Sequence, residues 1–252
     1  MLRFGSSSLL HHHQPRTQLL ARALSNSAID YDKLLTRRSR ARQPSAIRAM
    51  QPLVALPGMI SLGGGMPNPA TFPFASITAE LKDGSGARIE LSGAQLDAAL
   101  QYSPTPGLPS LVKHLKRLQE WEHGAGANVE VCVTTGSADA LSKAFDALLD
   151  ADDSLLLESP TFSGSLAYLQ PIGCRLVGVE CDALGLRPDA LEAILRGWDE
   201  VHEGRRRPRV LYTIPSGSNP TGASLDLARK RHLYEIARMH AGARTPWATP
   251  PV

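Results

Sequence analysis

The stretch "SLLLESPTFSGSLAYLQPIGCRLVGVEC" (residues 154–181) contains an apolar run, a helical pattern and a second apolar run in succession. The first run, "SLLLES" (154–159), and the last, "CRLVGVEC" (174–181), have the near-continuous apolar character of strands that are buried on both faces. The segment between them, "FSGSLAYLQPIG" (162–173), has a helical pattern. A strand, a helix and a strand in this order predict a parallel pair within a sheet.

The same alternation continues on both sides of this stretch. The runs "VEVCVTT" (129–135) and "RPRVLYTIP" (207–215) predict two more strands. Together these patterns predict an α/β domain with a mostly parallel sheet and helices on both faces. Ligands of such sheets bind beyond the carboxyl ends of the strands. The remaining helices are expected over residues 108–121 and 137–150, from Pro188 onward, and over 224–240 with Ser224 as the cap.

Composition limits the class of protein. The chain has 252 residues, of which 42% are hydrophobic and 20% charged, as in soluble globular proteins. No apolar stretch approaches the roughly 18 residues of a membrane span, so no membrane association is expected. Cys132 and Cys174 lie in strand-like runs and are expected to be buried reduced thiols. With Cys181 they are three scattered cysteines, which disfavours a disulfide framework.

The net charge of +3 comes from the first 29 residues, which contain Arg3, Arg16 and Arg22 and no acidic residue. Such an acid-free segment with Arg, Ser and Leu is typical of an organellar transit peptide, so a mitochondrial location is expected. A plain N-terminal extension of a cytoplasmic protein is the alternative. The rest of the chain has balanced charge, which offers no electrostatic reason to expect nucleic acid as a partner.

Two irregular turns follow predicted strands and are the candidate ligand sites. In "VTTGSADAL" (133–141), Gly136 permits a tight turn and Ser137 begins a helix. The free N–H groups of a first helical turn bind anions, above all phosphate. In "YTIPSGSNPTG" (212–222), the amide of Asn219 sits on a proline-bounded loop. Between these turns in sequence, Phe162 follows a strand and offers an aromatic face to a planar ligand. Each feature alone also suits a plain turn or a core residue.

Five motifs follow one another in a fixed order: "SLGGGMPNP" (61–69), "LQYSPTPGLPSL" (100–111), "VTTGSADAL", "LLLESPTFSG" (155–164) and "YTIPSGSNPTG". Together they resemble the class I/II aminotransferases of the fold-type I pyridoxal-phosphate enzymes. The likeness is strongest to the kynurenine/α-aminoadipate aminotransferase branch, and it covers about residues 42–240. It implies the large domain of that fold, incomplete at the C-terminus, with pyridoxal 5′-phosphate as cofactor.

The resemblance implies roles for individual residues. Ser137 and the backbone of Ala138 correspond to the turn that binds the cofactor phosphate, although relatives often carry a longer polar residue in place of Ala138. Phe162 corresponds to the aromatic residue that stacks on the pyridine ring, where tyrosine is frequent. Asn219 corresponds to the Asn that donates a hydrogen bond to the ring 3-oxygen, within an intact Asn-Pro-Thr-Gly signature.

The resemblance also implies which residues contact the substrate and a partner subunit. Tyr102 corresponds to a tyrosine that reaches the phosphate of a neighbouring subunit, which implies a homodimer with shared sites. Gly65, Arg48 and Asn219 correspond to positions on the substrate side, where Arg48 would contact a distal carboxylate. A plain turn at Gly65 and a solvated arm at Arg48 are the alternatives. No metal site is predicted.

The expected organisation is a transit peptide (1–29), an arm and small-domain segment (30–75), a partial cofactor-binding domain (76–240) and an atypical tail (241–252). The tail, "AGARTPWATPPV", has three prolines where the family continues with a strand. We therefore expect a truncated product or a gene-model artefact.

The resemblance places the Schiff-base lysine, the acid on the pyridinium nitrogen and the arginine for the substrate α-carboxylate after the Asn-Pro-Thr-Gly loop. No lysine of this chain corresponds to the Schiff-base lysine, and we assign none of them a catalytic role. All are expected to be exposed: Lys33, Lys82, Lys113, Lys116, Lys143 and Lys230.

The function that follows is an aminotransferase, of which this chain is the N-terminal portion. It would transfer an amino group from an aromatic or dicarboxylic amino acid to a 2-oxo acid. The alternative is an inactive fragment that at most binds pyridoxal phosphate or a full-length subunit. A third interpretation, the sensor half of a bacterial transcription regulator, needs a winged-helix module before residue 30 and is disfavoured.

Overall fold

The computed structural model describes residues 31–43, 45–54, 56–63, 65–124, 129–201 and 204–240. The predicted transit peptide (1–29) and the tail (241–252) lie outside the described residues. The chain divides into two compact units. The sheet unit comprises Met1–Arg40 with Leu141–Val252, and the hairpin unit comprises Ala41–Ala140.

The described residues form ten α-helices, one 3-10 turn and six strands. In order they are α1 (Tyr31–Leu34), α2 (Arg37–Ala41), α3 (Ala46–Val54), a 3-10 turn (Pro69–Thr71), β1 (Ser76–Glu80), β2 (Arg88–Ser92), α4 (Gly93–Leu100), α5 (Pro109–His123), α6 (Ser137–Leu148), β3 (Ser154–Ser159), α7 (Ser163–Ile172), β4 (Arg175–Asp182), β5 (Gly185–Leu186), α8 (Pro188–Arg196), α9 (Trp198–Val201), β6 (Val210–Tyr212) and α10 (Leu227–His240).

The sheet unit contains a four-stranded sheet of order β5-β4-β3-β6. Strand β3 is parallel to both of its neighbours, with Leu156 opposite Val177 of β4 and Leu211 of β6. The short β5 is antiparallel to β4. This confirms the predicted mostly parallel sheet and the strand-helix-strand interpretation of residues 154–181.

Each face of this sheet has its own apolar core, because successive residues of a strand point to opposite faces. On one face Leu155 and Leu157 of β3 pack with residues of α6 and α7, among them Phe145 and Leu169. On the other face Leu156 of β3 packs with residues of α8, α9 and α10. Helices therefore cover both faces, as the alternation predicts.

The predicted strand over residues 129–135 is wrong: the structure describes these residues, and they form no strand. The N–H of Val133 donates to the carbonyl oxygen of Pro106, 2.8 Å away, in a loop. A strand needs the backbone of a second strand beside it, and this run meets a loop carbonyl instead. Cys132 is accordingly exposed rather than buried, whereas Cys174 is buried as expected, and all three cysteines are free thiols.

The cap of α10 also differs from the prediction. The helix begins at Leu227, and Asp226 precedes it. Asp226 Oδ1 accepts a hydrogen bond from the N–H of Arg229 at 2.7 Å, which is the bond of an N-cap residue. The Ser224 hydroxyl accepts instead from the N–H of Gly217 at 2.8 Å. Asp226 was the better candidate because a carboxylate also interacts favourably with the helix dipole.

The hairpin unit contains features that the apolar patterns did not indicate. Strands β1 and β2 form an antiparallel pair with Ser76 opposite Ser92, and both strands are largely exposed. Helix α4 begins at the next residue, Gly93. Helix α5 begins at Pro109 and ends before Gly124, which confirms the helix predicted over 108–121. No helix in the described ranges is both long and apolar enough to span a bilayer.

Candidate functional site

The carboxyl ends of β3 and β6 form the candidate site. The two strands are neighbours and parallel, so their carboxyl ends meet at one edge of the sheet. The chain leaves β3 toward α7 on one face and leaves β6 toward α10 on the other. In open α/β sheets, ligands bind beyond the carboxyl ends of the strands, where adjacent strands send their connections to opposite faces. The ends of β3 and β6, which lie within the sheet unit, meet this condition.

Phe162 lies at this edge, as predicted, and is the half-buried residue before α7. Its ring lies over Gly164: a Cβ at Gly164 would come within 2.5 Å of the ring Cζ. Any other residue at this position would push the ring away. In the first turn of α7, the buried Ser165 hydroxyl donates to Tyr212 Oη at 2.9 Å, which joins α7 to the end of β6.

Asn219 lies on the same edge, in the β6–α10 loop (residues 213–226). Two backbone bonds close the loop, from Leu225 N–H to Pro215 O at 2.9 Å and from Ser218 N–H to Ala223 O at 2.7 Å. Asn219 is at the exposed tip, and no hydrogen bond engages its side chain within the described residues. Its amide is therefore free to bind a ligand.

The sequence reasoning missed Glu158, the fifth residue of β3. Its side chain is 1% exposed. One carboxylate oxygen accepts from the Thr213 hydroxyl at 2.5 Å and the Ile214 N–H at 3.1 Å, and the other from the Ser218 hydroxyl at 2.8 Å. A signal was present: a lone carboxylate inside an apolar strand must find donors when it is buried.

The Cys181 thiol interacts electrostatically with the Glu158 carboxylate. Burial raises the pKa of the Cys181 thiol, and the negative charge of Glu158 adds to that rise. The thiol is therefore neutral at neutral pH and is no thiolate nucleophile.

The hydroxyl oxygen of Thr161, the residue before Phe162, is buried with no hydrogen-bond partner among the described residues. A polar atom in that state fits a site that a polar ligand completes.

Ser137 and Ala138 are exposed residues in the first turn of α6, in the hairpin unit. The first bond of the helix runs from the N–H of Ala140 to Gly136 O at 3.1 Å, so the N–H groups of Ser137 and Ala138 lack acceptors within the helix. The Asp139 carboxylate accepts from the Thr135 N–H at 3.2 Å. This first turn thus has the donors that bind an anion, together with one carboxylate that opposes it.

The remaining predicted site residues also belong to the hairpin unit. Tyr102 is exposed and follows Gln101, whose side chain donates to the carbonyl oxygen of Pro67 at 2.8 Å. This bond ties the segment of Tyr102 to the segment of Gly65. Among the described residues no atom lies within 4 Å of a Cβ built on Gly65, so these neighbours do not require a glycine there. Arg48 lies in α3, and its side chain is outside the described part of the structure.

Five of the six lysines are exposed, as expected, whereas Lys116 is half-exposed. Lys230 reaches the β6–α10 loop, where its Nζ lies 3.4 Å from Ser216 Oγ. Lys116 pairs with Glu130 at 2.8 Å. Among the described residues, no group of His, Cys, Asp and Glu is arranged to hold a metal ion.

Comparison with known proteins agrees with this geometry. The family "Aminotransferase class I and II" matches residues 59–244. The mitochondrial kynurenine/alpha-aminoadipate aminotransferase of Bos taurus is 38% identical over 225 residues, which are 84% of this chain and 52% of the bovine protein. Aminotransferase tdiD of Emericella nidulans is 39% identical over 219 residues, 85% of this chain and 49% of that protein.

A solved aminotransferase structure is also similar to this chain. The crystal structure of aminotransferase Aro8 from Candida albicans superposes with a TM-score of 0.76 at 30% identity. The match covers 85% of this chain and 48% of that one. The chain thus spans about half the length of the relatives it matches.

Proposed function

Because the chain belongs to the class I and II aminotransferase family, we propose that it is the N-terminal portion of a pyridoxal-phosphate-dependent aminotransferase. The observation that carries this proposal is that Phe162 and Asn219 follow the carboxyl ends of two adjacent parallel strands. No hydrogen bond among the described residues engages the Asn219 amide.

The residues present at these strand ends fit the family's cofactor, pyridoxal 5′-phosphate. When bound, the cofactor supplies a pyridine ring that withdraws electrons from the reacting carbon. Phe162 would cover one face of this flat ring, and the amide of Asn219 would donate to the ring oxygen. The buried, unpartnered hydroxyl of Thr161 is a further donor beside Phe162. These side chains would bind and orient the ring, and Phe162 would shield one of its faces from water.

The phosphate would bind at the N-terminus of α6. The exposed N–H groups of Ser137 and Ala138 and the Ser137 hydroxyl are three donors at the positive end of a 12-residue helix. The Asp139 carboxylate is engaged by the Thr135 N–H, which moderates its repulsion of an anion. With alanine at position 138 only the backbone of that residue can contribute.

We also propose a substrate class, a partner and a location for the protein. The names of the Bos taurus protein and of an L-tyrosine:2-oxoglutarate aminotransferase from Tapinella panuoides support an aromatic or dicarboxylic amino donor and a 2-oxo acid acceptor. Arg48 would contact a distal carboxylate, Gly65 would allow the substrate to approach, and Tyr102 would reach a second copy in a homodimer. We place the protein in the mitochondrion because residues 1–29 have the composition of a transit peptide and three relatives have mitochondrial names.

Cofactor binding tests the proposal directly. The purified chain is expected to bind pyridoxal phosphate in an absorbance titration, and Asn219→Asp is expected to weaken that binding about 10-fold. The aspartate keeps the shape of the side chain but replaces both amide donors with a charged acceptor. Ser216→Ala, in the same exposed loop, is the matched control and should bind as the wild type does. A wild-type chain that binds no cofactor, or an Asn219→Asp variant with unchanged affinity, would contradict the proposal.

We further propose that the chain of 252 residues binds the cofactor reversibly and has no catalytic turnover by itself. The exposure of its lysines favours this interpretation. Reduction with borohydride in the presence of pyridoxal phosphate should leave no single lysine labelled stoichiometrically, as measured by peptide mass spectrometry. Stoichiometric labelling of one lysine, such as Lys230 beside the loop, would overturn this part of the proposal.

A further inference from the structure

We propose that Glu158 is a positioning residue that holds the Asn219 loop in its binding geometry. It acts through Ser218 and Thr213 without touching the cofactor. The inference rests on the proposed function, because it explains how the chain presents the amide that would bind the cofactor ring. The residues that carry the inference all lie in the sheet unit.

Backbone pairing between β3 and β6 ends just before Glu158. The last register pair is Leu157 opposite Tyr212. One residue further, the Glu158 carboxylate takes the place of the missing backbone acceptor and binds the Ile214 N–H at 3.1 Å. The same oxygen accepts from the Thr213 hydroxyl at 2.5 Å. The side chain therefore keeps the start of the β6–α10 loop attached to β3 after backbone pairing has stopped.

The other carboxylate oxygen of Glu158 binds the residue that precedes Asn219. It accepts from the Ser218 hydroxyl at 2.8 Å, and both residues are buried. Ser218 directly precedes Asn219 in the chain. Its backbone is fixed as well, because its N–H donates to Ala223 O and its carbonyl oxygen accepts from the Gly222 N–H. One carboxylate thus binds the loop both at its beginning and at the residue next to the amide.

The hydrogen bonds to Glu158 are strong, and they engage both of its carboxylate oxygens. Hydrogen bonds to a charged acceptor contribute more than neutral ones, and a buried donor that loses its acceptor is costly. With both oxygens engaged and 1% of the side chain exposed, Glu158 has no surface with which to meet a ligand. Its influence on binding passes through the loop.

Hydrogen exchange of the cofactor-free chain tests this inference. Ser218→Ala removes one of the three donors, and we expect the loop amides 213–222 to exchange about 10-fold faster. The amides of β4 should be unchanged, which separates loop loosening from global unfolding. Ser216→Ala, two residues away and exposed, is the matched control. Pyridoxal-phosphate affinity should fall about 5- to 10-fold in Ser218→Ala and stay constant in Ser216→Ala.

Glu158→Gln provides a second, conservative variant. Glutamine keeps one oxygen for Thr213 and Ile214, and its NH₂ group can donate to the Ser218 oxygen. It should therefore retain most of the loop protection that Ser218→Ala loses. Loop exchange at the wild-type rate in Ser218→Ala, or equal acceleration in Ser216→Ala, would overturn the inference. A wild-type chain that binds no cofactor would contradict the proposed function alone, because the exchange comparison needs no cofactor.

Discussion

Replacement of Arg209 by methionine is expected to lower the free energy of unfolding by about 3–5 kcal/mol. The Arg209 guanidinium donates to the carboxylate of Asp153 at 3.0 Å. The Asp153 side chain is 4% exposed and the Arg209 side chain 26%. Methionine keeps the apolar stem but leaves a nearly buried carboxylate without its cation, which is the costly way to break an ion pair.

Three carbonyl oxygens add to this effect. The guanidinium also donates to Lys33 O at 3.0 Å, Leu34 O at 3.2 Å and Leu148 O at 3.3 Å. These residues end α1 and α6, so one cation satisfies the free carbonyl groups of two helix C-termini. The loss of Arg209 should detach the α1 segment from β6 as well as weaken the sheet.

Urea denaturation followed by circular dichroism measures the change in Arg209→Met. Arg206→Met is the matched control, because Arg206 is exposed and its replacement should change stability by less than about 0.5 kcal/mol. The double variant with Asp153→Leu should recover part of the loss, since it removes the stranded charge. Equal stabilities of Arg209→Met and Arg206→Met would refute the argument.

Replacement of Trp198 by alanine is expected to cost about 3–5 kcal/mol as well. The side chain is 0% exposed and packs in one core cluster with Leu191, Leu195 and Ile236. Alanine would leave a cavity that helices α8 and α10, held by the same cluster, can close only in part. The indole Nε1 also donates to Arg205 O at 3.3 Å, so its removal deprives that carbonyl of this donor.

Trp121→Ala is the matched control for this change. Trp121 is 78% exposed on α5, so the same truncation there removes little buried surface. Trp198→Phe keeps much of the packing but loses the indole donor, and its loss of stability should lie between the two alanine variants. Thermal unfolding followed by circular dichroism ranks the three variants. A Trp198→Ala variant no less stable than Trp121→Ala would show that the indole does not support this core.

Local pattern was a reliable guide where a segment buries its own apolar face. The strands at 154–159 and 174–181 and the helix between them are confirmed because their residues pack on both faces of one sheet. The run at 129–135 also has the β-rich composition of a strand but forms none, since its backbone meets the loop carbonyl of Pro106. Whether a β-rich run becomes a strand depends on which backbone lies beside it.

The residues of the candidate site also differ in how much of their role the sequence alone reveals. Phe162 and Asn219 could be found from sequence because they follow strands in recognisable turns, and the structure places both at one sheet edge. The lone carboxylate of Glu158 in an apolar strand was visible in the sequence, but its link to Ser218 was not, because the two residues are 60 positions apart in the chain. The bond between them forms only when β3 and β6 become neighbours.

The sequence by itself determined the fold class, the family and the identity of the residues at the ends of β3 and β6, since these depend on local periodicity and short motifs. Only the tertiary structure decided which strands pair, which helix covers which face, and what holds the Asn219 loop. The physical reason is that burial and hydrogen bonding join residues far apart in the chain. A carboxylate such as Glu158 is expensive inside a protein until folding brings it three donors.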